Sequence, residues 1–171
     1  MRSRTAVWFE AKIRYEKTME DGMPKKVTEL YVVDALTFGE AENRIMEEMS
    51  SYVSGELKIV DLKIAQYKEI FFADNNLSEK WYKAKLAFIT IDEKKDKEKK
   101  TSVCYLINAG NINSAIKNIE DVMSGMMIDY NTLNVNETSI IDVFEYKAET
   151  KNKEDSGESK SEEEEEPVTI D

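Results

Sequence analysis

Histidine is absent from this 171-residue chain, and cysteine occurs once, at Cys104. Without histidine there is no Ser/His or Cys/His pair and no side chain whose ordinary titration falls near neutral pH. Zinc is excluded too, because one thiol cannot supply the three or four ligands the metal takes. Paired carboxylates are the acid–base chemistry left, and no spacing in the chain brings such a pair together. Glycine is also scarce, at six residues, and none of the six forms a phosphate-cradling loop. A transmembrane helix needs roughly 18 consecutive apolar residues, and no such run occurs. The basic start Met1-Arg2-Ser3-Arg4-Thr5 is not followed by an apolar stretch of signal-peptide length. With the lone cysteine, this points to the reducing cytoplasm.

Acidic charge is what the chain has in excess, with 35 Asp and Glu against 24 Lys and Arg, a net charge of −11. Its distribution is uneven. Residues 148–171 carry ten acids and three lysines, net −7, leaving −4 on the first 147 residues. The body is close to neutral, and the acidity belongs mainly to the tail.

Most of the body is spelled twice. Trp8-Phe9-Glu10-Ala11-Lys12-Ile13 returns as Trp81-Tyr82-Lys83-Ala84-Lys85-Leu86. In the first copy, Phe9, Ala11, Ile13 and Tyr15 alternate with Trp8, Glu10, Lys12 and Arg14, the period of a half-buried strand. Glu20 to Pro24 reads as a loop and Val27 to Val33 as the antiparallel return strand. Thr37 and Glu40 match a capping box, and Phe38, Ala41, Ile45, Met49 and Tyr52 follow at helical spacing, with Gly55 as the stop. Leu57 to Phe72 is again strand-like, long enough to bend or break midway. The second copy repeats the order: a strand from Trp81, a charged loop from Asp92 to Lys100, a strand over Val103 to Ala109, and Asn111 as N-cap. A helix bearing Ala115, Ile119 and Met123 follows, then a strand over roughly Thr138 to Lys147. A repeat of this length is one supersecondary unit placed twice. The expected fold is α+β: a tandem duplication of a strand-strand-helix-strand unit, with antiparallel-rich sheets, helices on one face and a pseudo-twofold axis. The expected boundaries are 1–73, a linker at 74–80, a second repeat over 81–147 and a disordered acidic tail over 148–171.

Two features carry a functional reading. Trp8, Lys12 and Arg14 share one strand face, as do Trp81, Lys83 and Lys85. On an exposed sheet, an aromatic plane beside cations suits single-stranded nucleic acid, each stacked base contributing roughly 1–3 kcal/mol. The alternative is that both tryptophans pack where the halves meet, with the lysines reaching out at the rim. The second feature is the run Glu162, Glu163, Glu164, Glu165 and Glu166, followed by Pro167 and a short apolar tip. Such a run can mimic a phosphate backbone and compete for a basic groove, or simply solubilise the chain. It resembles the tails of single-stranded-DNA-binding proteins, without their aromatic last residue. Three weaker features remain: the basic-leaning loop Lys94 to Lys100; methionines 46, 49, 123, 126 and 127 on or near the helices, which can face partners or fill a core; and Cys104, placed as a small buried hydrophobe.

With its Trp-aromatic-x-Ala-Lys repeat, its length and its charged tail, the chain resembles an uncharacterised domain-of-unknown-function family of about 150–180 residues from gut Bacteroidetes and their phages. The likeness spans residues 5 to about 147 and brings no activity, cofactor or site with it. The reading is a non-enzymatic single-stranded nucleic-acid-binding or accessory protein with an acidic competing or recruiting tail, free of metal, cofactor and membrane. Its alternative is a protein–protein interaction module acting through the tail or the methionine-bearing helices.

Overall fold

A computed structural model describes residues 1–146. The predicted tail, and Lys147 before it, lie outside the described residues. The chain folds as β1 (Arg2–Arg4), β2 (Trp8–Thr18), β3 (Pro24–Asp34), α1 (Phe38–Ser50), β4 (Leu57–Ile64) and β5 (Glu69–Phe72). It continues as β6 (Lys80–Asp92), β7 (Lys97–Ala109), α2 (Ile112–Ser124), β8 (Asp129–Glu137) and β9 (Ile140–Phe144). This is an α+β protein of two mostly antiparallel sheets, each with a helix against one face.

The sheets have strand orders β4-β2-β3-β9 and β1-β5-β7-β6-β8. Their shared plan is a central antiparallel hairpin, with Phe9 opposite Val33 in one and Tyr82 opposite Ile107 in the other. Each then takes a parallel outer strand from the other half of the chain: β9 lies along β3, and β5 along β7. Each strand-strand-helix unit is therefore followed by two strands, not the one expected. The strand-like stretch from Leu57 to Phe72 breaks midway, and it stops pairing with β2 where the Ala65 amide meets the Trp8 carbonyl (2.8 Å). It joins the second sheet where the Lys68 amide meets the Cys104 carbonyl (2.8 Å). After β8 the chain crosses back at Thr138, whose amide reaches the Trp81 carbonyl (2.9 Å). Strand β8, absent from the sequence reading, occupies Asp129–Glu137, and the final strand is only Ile140–Phe144. The predicted Asp92–Lys100 loop is shorter as well, because Lys97 to Lys100 pair with β6.

Local signals place the helices. Thr37 Oγ1 accepts the Glu40 amide (3.1 Å), while Glu40 Oε2 reaches back to the Leu36 amide (2.9 Å), one residue before the expected partner. Asn111 Oδ1 caps α2 through the Ser114 amide (2.9 Å). α1 ends at Ser50, before the predicted stop at Gly55. Ala41, Ile45 and Met49 pack on Phe9, Ala11, Ile13 and Val33; Ile119 and Met123 pack on Leu86, Tyr105 and Ile107. Met49 and Met123 are thus core, while Met46 and Met127 are exposed.

Candidate anion-binding cleft

The faces turned away from the helices meet at one end, and the tryptophans make the joint. Trp8 is 1% exposed and Trp81 5%. They share a cluster with Val32 and Val143 from one sheet and Ile70 and Leu106 from the other, and Phe72 stands edge-on to Trp81 at 5.5 Å. This corrects the stacking role expected for both rings. A base cannot stack on a ring already enclosed by two sheets, and the crossovers at Ala65 and Thr138 tie down both tryptophan carbonyls. The same enclosure leaves Trp8 Nε1 buried without a hydrogen-bond partner among the described residues.

Beyond this joint lies a cleft of about 840 Å³. Strand β6 contributes Lys83 and Lys85, β7 contributes Ser102 and Cys104, β2 contributes Glu10, β4 contributes Lys63 and the β4–β5 crossover contributes Tyr67. Alternation aims these side chains: Lys85 sits opposite Cys104, and Glu10 opposite Lys63, on the inner faces of their sheets. Among the described residues, Glu10 is the single acid in the wall. Its Oε1 accepts the Tyr67 hydroxyl (2.6 Å), and its Oε2 lies 3.5 Å from Lys63. Burial first, and then Glu10, pushes the Tyr67 hydroxyl far above the usual phenol range, so it stays a donor. Burial also raises the Cys104 thiol; Lys83 and Lys85 pull it down and Glu10 pushes it up, the net direction being upward. Cys104 is half-buried, not enclosed as expected, and its thiol is protonated at neutral pH. Among the described residues, Lys83 and Lys85 have no carboxylate in ion-pair contact, so their charges face the cleft uncompensated.

The predicted binding face is therefore divided. Lys83 and Lys85 line the cleft. Lys12 lines an adjoining groove of about 380 Å³ that shares Glu10 and Lys63 and adds Asp61 and Glu29. Arg14, further along β2, lies opposite Thr28 and lines neither space. The sequence reading missed Lys63, Tyr67 and Glu10. Their one visible signal was the strand-like stretch from Leu57 to Phe72, which breaks where Lys63 and Tyr67 sit. Among the described residues no group of three metal-ligating side chains occurs, and no helix is long and apolar enough to cross a membrane.

Two helix-backed sheets joined through buried tryptophans, with a lysine-lined cleft beside the joint, define an α+β protein. By its sequence the chain belongs to the family described as a domain of unknown function (DUF4494), which matches residues 7–146. Among curated proteins none matches it.

Proposed function

We propose that this is a non-enzymatic protein that binds a single-stranded nucleic acid in the inter-sheet cleft, through phosphate contacts and without stacking on tryptophan. The observation that carries the reading is the meeting of Lys63, Lys83 and Lys85 around one acid, Glu10, in a body that is otherwise slightly acidic. Local potential, not net charge, steers a polyanion. Single-stranded binding held by about three phosphate contacts falls with salt at a log–log slope near −2. The acidic run Glu162 to Glu166 is the built-in competitor. Fifteen residues separate it from Tyr146, a reach of at most about 55 Å.

Gel-shift titration of a 20-nucleotide oligonucleotide at low salt tests the proposal. The double variant Lys83→Glu/Lys85→Glu abolishes the shift, and ending the chain after Lys147 tightens it. A shift that survives the double reversal overturns the cleft, and truncation without effect overturns the competing tail. The second reading, a protein–protein interaction module, is favoured by the tryptophans being packed between the sheets, and by exposed apolar residues at the helices such as Ile112, Ile116 and Met127. It is preferred if no oligonucleotide shifts even in the truncated chain.

A further inference from the structure

A second cleft, of about 560 Å³, lies on the other face of the β4-β2-β3-β9 sheet, and its chemistry is the reverse of the first. Tyr15, Tyr31, Tyr52 and Phe144 give it aromatic walls, and Glu29 and Asp142 give it carboxylates. The wall is built by register. Tyr15 and Tyr31 flank the Ile13–Glu29 pair on the β2–β3 hairpin, and both hydroxyls donate to the same oxygen, Glu29 Oε2, at 2.9 and 2.7 Å. Strand β9 then lays Phe144 parallel to Tyr31, with centroids 5.4 Å apart and planes 9° apart. Tyr52, past the end of α1, is 72% exposed and stands at the mouth.

The two phenols occupy one oxygen of Glu29 and leave Oε1 facing the long, exposed Lys17 at 3.7 Å, a weak contact in water. Asp142 uses Oδ1 on the Val143 amide (2.8 Å), and its Oδ2 has no partner among the described residues. Both tyrosine hydroxyls are held protonated by burial and by Glu29, so these two buried rings stay neutral, and the accessible aromatic surface of the cleft is that of Tyr52 and Phe144. The Asp142 oxygen and the loosely paired Glu29 oxygen, beside the accessible rings of Tyr52 and Phe144, repel an anion and go unused by a neutral apolar molecule. A cation whose charge is spread over alkyl groups uses both, because the rings attract it electrostatically and the carboxylates neutralise it.

We infer that this cleft binds an organic cation, an ammonium or quaternary-ammonium group, either free or carried on a lysine side chain. The inference is independent of the lysine cleft. Isothermal titration of the full chain tests it with choline, with the neutral isostere 3,3-dimethylbutan-1-ol, and with a short peptide carrying one trimethyllysine. Choline or the peptide binds, and the isostere binds at least ten-fold more weakly. Tyr52→Ala and Asp142→Asn each weaken the charged probe about ten-fold. Both positions are exposed, and thermal melts check that the variants fold. A peptide tighter than choline identifies a protein side chain as the source; choline as tight or tighter identifies a free amine. Equal binding of choline and the isostere, binding unchanged in both folded variants, or no binding of any charged probe overturns the inference. The isostere comparison decides the matter even if a variant fails to fold.

Discussion

The buried carboxylate of Asp34 accepts a hydrogen bond at 2.6 Å from the backbone amide of Tyr146, 112 residues further along the chain. The same side chain pairs with Arg4 (2.6 Å) and faces Arg44 (3.7 Å), whose guanidinium lies 3.8 Å from the centroid of the Tyr146 ring. One aspartate at the end of β3 thus fastens β1, α1 and the exit from β9. In the other half, Asn108, next to last in β7, accepts the Ala73 amide at 3.3 Å just past β5, while its Nδ2 donates to the Ser78 and Lys80 carbonyls. Both residues fasten the parallel outer strand that crosses from the other half, one with charge and one without.

Replacing Asp34 with alanine leaves Arg44 and Arg4 without their shared counter-charge and the Tyr146 amide without its acceptor. Breaking a buried pair on one side costs about 3–5 kcal/mol. Asp34→Asn keeps an acceptor, as Asn108 does, and costs about 1–3 kcal/mol. Urea denaturation of the two variants measures the difference, and equal losses would show that the charge, not the hydrogen bond, holds the strand.

Trp8→Ala and Trp81→Ala each remove a large ring from the joint between the sheets, at a cost of about 3–5 kcal/mol. Trp8→Phe costs less, because it also removes a buried N–H that has no partner among the described residues. In the folded wild type, iodide leaves tryptophan emission almost unquenched, and adding an oligonucleotide does not change that. Strong quenching would place the rings in water and restore a stacking role.

The Cys104 thiol reports on the cleft. Its pKa is raised by burial and lowered by Lys83 and Lys85, the net direction being upward, so it reacts with a disulfide reagent more slowly at pH 7.5 than a free thiol. Lys83→Ala and Lys85→Ala slow it further by removing the cations that favour the thiolate. An anion that enters the cleft slows it as well. Faster reaction in the lysine variants would mean that access, not charge, sets the rate.

Alkali destabilises the fold through its phenols. The Tyr15 hydroxyl is pushed up to about 12 by burial and by Glu29, and the same causes raise Tyr31 further. The folded state therefore keeps protons that the unfolded chain gives up near pH 10. The stability they contribute is complete below pH 10 and is lost as pH rises through 12. Denaturation midpoints measured from pH 8 to 11.5 decline from about pH 10 onward, and phenolate absorbance in the folded chain lags behind that in urea.

Gly110 sits against the segment joining the halves, where an added Cβ would lie 2.8 Å from the Leu77 carbonyl oxygen. Gly110→Ala forces that backbone apart and costs about 1–3 kcal/mol by thermal denaturation. Gly39→Ala, with open space at its Cβ, carries no such penalty.

Residues close together in the chain determined much of this molecule. Alternation assigned Phe9, Ala11 and Ile13, and likewise Tyr82, Ala84 and Leu86, to the helix-covered face of each sheet, because strand side chains point to opposite sides with a period of two. Thr37 and Asn111 marked the helix starts through hydrogen bonds that reach only three residues. Alternation also put Trp8 with Lys12, and Trp81 with Lys83 and Lys85, on the opposite face, but it carries no information about what lies against that face. Sheet-on-sheet packing decided that, and it enclosed the tryptophans while leaving the lysines open. The crossovers after Ile64 and Glu137 belong to the same level: β5 and β9 find their partners in the far half, through pairings that no local pattern encodes. Those crossings bring Lys63 and Tyr67 to Lys83, and Asp142 and Phe144 to Tyr31. Each half supplies side chains of the right kind, and only the exchange of outer strands brings them together as a cleft.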